Sequence, residues 1–215
     1  MKSLILKDLY NVGHNVKSML LILAVMAAAF LPTSGVTAYL FICAFLCSMM
    51  IITTFSFDDT AKWNRYAMIM PISRKDLVIS KFIVLAIFSA AGSLFGLIVS
   101  VIVETADPEK TFNISRLGEM LFFALAAWTF SLILEGIAIP LAFKFGAEKG
   151  RILLLVSSLI PLTICYLAYR LLLMLGVQIT DHLLFVLLCW SPVIALLWCL
   201  IMCKISYQIF AKKEL

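Results

Sequence analysis

Six apolar runs divide the chain, at residues 18–31, 36–57, 77–103, 117–143, 152–176 and 183–203, with short polar stretches between them. About 20 apolar residues in a helix cross the ~30 Å hydrocarbon core of a bilayer. Five of the runs reach that length, and 18–31 falls short, so Lys17 is expected to snorkel or the bilayer to thin there. Ahead of the first run, Leu4, Ile5, Leu9, Val12 and Val16 recur at approximate helical spacing, with Lys2, Lys7, Asp8, Asn11, His14 and Asn15 in the other positions. This spacing predicts an amphipathic helix over 1–17 lying along the membrane face, with Gly13 a possible bend. Residues 32–35 (PTSG) predict an uncharged turn, 104–116 an acidic-leaning loop, 144–151 (KFGAEKGR) a short basic turn and 204–215 a basic tail.

The stretch 58–76, DDTAKWNRYAMIMPISRKD, differs from the other polar gaps because large apolar side chains alternate with its charges. Trp63, Tyr66, Ala67 and Met70 fall at i, i+3, i+4 and i+7, which predicts a short amphipathic helix over about 60–70 with Lys62 and Arg65 off the stripe. Pro71 ends it, since proline disfavours helix at the preceding residue. Ser73 to Asp76 then reads as the N-cap of a long helix. The short helix either rests on lipid headgroups or docks a soluble partner.

A chain that is 64% hydrophobic and 13% charged cannot be a water-soluble globule. Its net charge of +5 is a topology signal and calls for no nucleic-acid partner. Assigned to alternate gaps, Lys2, Lys7, Lys17, Lys62, Arg65, Arg74, Lys75, Lys81, Lys144, Lys149, Arg151, Lys204, Lys212 and Lys213 fall on one side. Only Lys110 and Arg116, plus Arg170 if it snorkels outward, fall on the other. The positive-inside rule makes the first side cytoplasmic, together with both termini, and so requires an even number of spans.

The six cysteines lie inside apolar runs, where they read as packing residues, not as disulfides or thiolate metal ligands. No nucleotide-binding P-loop, zinc-protease motif or serine-nucleophile context is present, so no catalytic or metal site is assigned. Two ionisable residues stand deep in apolar runs. Glu135 either contacts a substrate path or subunit seam, or pairs with a neighbouring helix or cytoplasmic water. Arg170 either lines an outer vestibule or snorkels.

The segments KDLYNVGHNVKSMLLI, FSFDDTAKWNRYAMIMPISRKDLVISKF and PLAFKFGAEKGR, in that order, resemble the small six-span permeases of the type-2 ABC transporter superfamily of Gram-positive bacteria. The resemblance implies an all-α integral membrane protein with six transmembrane helices, an N-terminal elbow helix (1–17) and a cytoplasmic coupling helix within 58–76. The coupling contact would be made by Lys62, Trp63, Arg65, Tyr66, Met70 and Pro71, with Phe145, Gly146, Glu148 and Arg151 as a second cytoplasmic contact. It further implies a single permease domain in the bacterial plasma membrane, paired with a second copy or a sister permease. Two copies of an ABC ATPase would hold the ATP and Mg, and this chain would bind no cofactor and catalyse nothing. The elbow helix and first span would form the permease seam, with Leu20, Leu23 and Ala27 in contact. The expected activity is export of an amphipathic peptide, antimicrobial or lipid-like drug. A membrane-embedded binding or immunity protein is the rival from another class, and an intramembrane enzyme would have only Glu135 and Arg170 to draw on.

Overall fold

The computed structural model describes residues 1–13, 15–70, 72–106, 114–147, 149, 159–174 and 181–212. Among these residues every regular element is an α-helix: α1 (Lys2–Gly13), α2 (Val16–Ser48), α3 (Met50–Thr60), α4 (Trp63–Ile69), α5 (Arg74–Ala106), α6 (Ile114–Gly136), α7 (Ala138–Phe145), α8 (Leu159–Met174) and α9 (Asp181–Ala211). Four described segments are long and apolar enough to cross a membrane: Val16–Thr60, Arg74–Ala106, Ile114–Phe145 and Leu188–Ala211. The run 152–176 lies partly outside the described residues, and α8 is its described part.

α2 is not one straight rod. A straight helix would hold Leu23 and Tyr39 about 24 Å apart at 1.5 Å per residue, yet the Tyr39 hydroxyl donates to the Leu23 carbonyl at 3.3 Å. The reversal is at Gly35, whose φ of 79° and ψ of −179° suit a residue without Cβ. Just before it stands Pro32, and the Thr33 hydroxyl donates to the Ala29 carbonyl at 2.8 Å. The predicted turn is therefore placed late. The helical arm before the break covers 16–34, about 28 Å, and is longer than the apolar run 18–31 that suggested a short first span.

The second arm of α2 lies against α5, where the small residues of α5 permit a close approach. A Cβ built on Gly92 would stand 2.6 Å from the Cys47 Cβ and 2.7 Å from the Cys43 carbonyl oxygen, and one on Gly96 3.1 Å from the Cys43 Cβ. That small-residue face is filled by the chain itself. α5 packs in turn on α6, and α6 on α9. There the Trp198 indole donates to the Ile133 carbonyl at 3.0 Å, and the Thr129 and Ser191 hydroxyls meet at 3.2 Å. At one end of the bundle Phe143 meets Phe55 edge-to-face and Phe210 at a tilt, with ring centroids 4.9 and 5.0 Å apart, and the three join α3, α7 and α9.

Candidate functional site: the basic end of the bundle

On α1 the inward positions are Leu4, Asp8 and Val12, one turn apart, so an aspartate occupies the centre of the buried stripe. Sequence spacing had placed Asp8 on the polar side. Its partner is Lys81 of α5, only 2% exposed despite its charge. Lys81 Nζ lies 2.9 Å from Asp8 Oδ2 and 2.6 Å from Asp58 Oδ2 of α3, while Lys7 Nζ lies 2.5 Å from Asp58 Oδ1 and 3.2 Å from Asp8 Oδ1. Each lysine touches both aspartates, giving a closed square with no net charge. Asp8 Oδ1 and Asp58 Oδ2 stand at ion-pair distance but off the hydrogen-bond direction, so charge more than directed bonding holds those corners. The Thr54 hydroxyl donates to the Ile51 carbonyl and accepts from Lys81 Nζ at 3.1 Å, and the ammonium also lies 4.8 Å from the Phe55 ring centre. Three buried charges and the half-buried Lys7 are tolerated because the four cancel; removing one partner of a buried pair typically costs about 3–5 kcal/mol.

The fourth element of the junction is α4. Lys62, at φ 51°, turns the chain out of α3, and the helix runs only from Trp63 to Ile69, shorter at its start than the predicted 60–70. Its apolar stripe splits. Trp63 is half buried with Lys7 Nζ 4.5 Å above its ring, and Ala67 is fully buried. Tyr66 and Ile69, 58% and 83% exposed, point outward with Met70 and Lys62. Trp63 thus mounts the helix, and Tyr66, Ile69 and Met70 form its free face. The Arg65 side chain and Pro71 lie outside what is described.

Beside α4, Asp59 Oδ2 accepts from the Ala147 amide at 2.8 Å. Gly146, at φ 82°, makes that turn, and a Cβ there would meet the same carboxylate oxygen at 3.4 Å. The basic turn is thereby fastened next to the short helix. Phe145 is exposed, with the Lys144 ammonium 5.1 Å over its ring, while Glu148 and Arg151 lie outside the described residues. The predicted cap is present, the Asp76 amide donating to Ser73 Oγ at 3.1 Å. Arg74 Nη1 donates to the Phe210 and Ala211 carbonyls at 3.0 and 2.7 Å, closing the C-terminal end of α9, where carbonyls lack helical partners.

Glu135 is elsewhere. It is fully buried near the end of α6, and among the described residues neither carboxylate oxygen has a hydrogen-bond partner. Arg170 is exposed on α8. Leu23 is buried under Tyr39 and cannot serve as a seam contact in this conformation, whereas Leu20 is exposed and Ala27 partly so. Sequence reasoning missed Asp8, Asp58 and Asp59 as site residues, and counted Lys7 and Lys81 only as topology charges. The signals were Asp8 at i+4 from Leu4 and i−4 from Val12, and a lysine inside the run 77–103.

The family model described as ABC-2 family transporter protein matches residues 3–211, nearly the whole chain. The chain belongs to that family of transporter membrane subunits, which normally pair with an ATPase subunit and are generally not catalytic themselves. The searches of curated proteins and of solved structures found no match.

Proposed function

We propose that this protein is the permease subunit of an ABC exporter and that its basic end, cytoplasmic by the positive-inside rule, receives the ATPase on α4. The observation that carries this reading is the division of α4. A seven-residue helix is too short to persist alone, yet Trp63 and Ala67 hold it rigidly while Tyr66, Ile69 and Met70 face outward. An anchored short helix with an apolar outer face suits docking into a cleft. The fastened Gly146–Ala147 turn with exposed Phe145 offers a second contact beside it.

In this reading six helices cross the bilayer, the two arms of α2–α3 counting separately, and α1 is the elbow helix. Two permeases, identical or sister chains, work with two ATPases that hold ATP and Mg. Closure of the ATPases pushes both α4 helices and opens a path between the permeases for an amphipathic peptide, antimicrobial or lipid-like drug. The test is co-purification of the ATPase from the same bacterium in mild detergent. Tyr66→Ala with Ile69→Ala and Met70→Ala should weaken capture at least thirty-fold, the effect of about 2 kcal/mol of anchor contact, while the melting temperature stays within 2–3 °C, as expected for surface substitutions. Unchanged capture would leave α4 as a helix resting on headgroups.

A further inference from the structure

The free face of α4 has no described contact with α5; its inner residues Trp63 and Ala67 share an apolar cluster with Leu77 and Val78 of α5, and a charged link runs beside that cluster, Trp63 lying under Lys7, which shares both aspartates of the square with Lys81. We propose that the Lys7–Asp8–Asp58–Lys81 square is the transmission element of the permease, carrying displacement of the docked helix α4 into α1 and the membrane-spanning helix α5. The proposal rests on the docking reading above and deepens it by naming positioning residues that touch neither the ATPase nor the cargo.

The physical reason is that the square is closed, neutral and dry at three of its four corners, Lys7 alone keeping 23% of its side chain exposed. Asp8, Asp58 and Lys81 are almost fully buried, so a displaced corner has no water to replace its lost partner. The square supplies one residue from α5, one from α3 and two from α1, and shifting any one of these helices breaks at least two ion pairs together. Such a junction resists small deformations and moves as a unit, as packed bistable interfaces do. It also lies at the start of α5, and below it α5 is wedged against Cys43 and Cys47 at Gly92, so a push at Lys81 reaches the α2–α5 contact inside the membrane. Were the charges present only to hold α4, Lys7 over Trp63 with Asp58 would suffice. Lys81 and Asp8 extend the link to α5.

The test cuts that corner alone. Asp8→Leu with Lys81→Met leaves the Lys7–Asp58 pair and the cation over Trp63 in place and orphans no charge; Asp8→Asn with Lys81→Gln is the second variant should the first not accumulate. Amide hydrogen exchange is followed in nanodiscs of phosphatidylglycerol and phosphatidylcholine, first on the permease alone and then on its complex with the co-purified ATPase, with and without ATP and vanadate. The permease alone should show amides of α1 exchanging at least ten-fold faster in the variant. In the complex, nucleotide should change exchange by at least five-fold in α4 and in 74–90 of the unaltered chain, and in α4 alone of the variant, with capture of the ATPase unchanged. The same nucleotide response in α5 of the variant, or loss of capture, overturns transmission. If the unaltered chain captures no ATPase, the docking reading fails, and equal α1 exchange in variant and unaltered permease alone then rejects the square as a link.

Discussion

The two ends of the bundle solve the same problem in opposite ways. At the basic end a largely buried square of four charges, the Asp59 acceptor for Ala147 and the Arg74 cap on α9 tie α1, α3, α5, α7 and α9 to one another around α4. At the other end, among the described residues, the buried Glu104 pairs with Arg116 at 3.7 Å, the arginine side chain 58% exposed, beside a cavity of about 190 Å³ lined by Val36, Thr37, Glu119 and Phe123. Water can replace an exposed partner but not a buried one, so three of the square's four charges depend on one another, whereas one member of the Glu104 pair stands open to water. On the proposed function, that places stiffness where force would enter.

The comparison is broken most directly by single substitutions of its charges. Lys81→Ala leaves two buried aspartates sharing one lysine, and should cost about 3–5 kcal/mol, read as a lowered melting temperature in detergent or as loss of folded yield; an unchanged melt would show the square to be hydrated. Next comes the shared middle of the bundle. Gly92→Ala forces a Cβ to within 2.7 Å of the Cys43 carbonyl, which cannot yield as a flexible side chain could, so the cost should lie at the upper end of ~1–3 kcal/mol. Gly118 of α6, with nothing within 4 Å, is its control: Gly118→Ala should stabilise by about 0.5–1 kcal/mol. At the reversal, Gly35→Ala meets open space but an unsuitable backbone, and a loss of order 1–2 kcal/mol is expected from strain alone. A neutral result would mean that the two arms of α2 are held by Tyr39 and Leu23 whatever the turn. Last, Arg116→Ala leaves Glu104, itself only 8% exposed, without a partner held at 3.7 Å, and should cost about 1–3 kcal/mol, below the loss for Lys81→Ala. A loss equal to that of Lys81→Ala would erase the distinction between the ends.

Much of this was legible in one dimension because membrane proteins write their spans as composition. Four long apolar helical segments, the cap at Ser73 and a short helix before it depend on local spacing and local bonds, and they appear in place. The short first span was misread because Pro32, Thr33 and Ser34 look like a turn, whereas proline early in a reversal can remain helical and only Gly35 leaves the helix. The stripe on α4 was also misjudged. Periodicity groups Trp63 with Tyr66, but a seven-residue helix lying on a bundle turns barely half its circumference inward, and Lys7 and the core took Trp63 and Ala67.

By itself the sequence determined that this is a multi-pass helical membrane subunit with a basic end and an amphipathic insert, because hydropathy, charge asymmetry and proline act on near neighbours. Only the tertiary structure decided which charges are buried. Asp8, Asp58 and Lys81 are separated by 50 and 23 residues along the chain and look like ordinary polar positions until three helices converge. A charge is admitted to a dry site only when its counter-charge arrives there too, and that condition belongs to the fold.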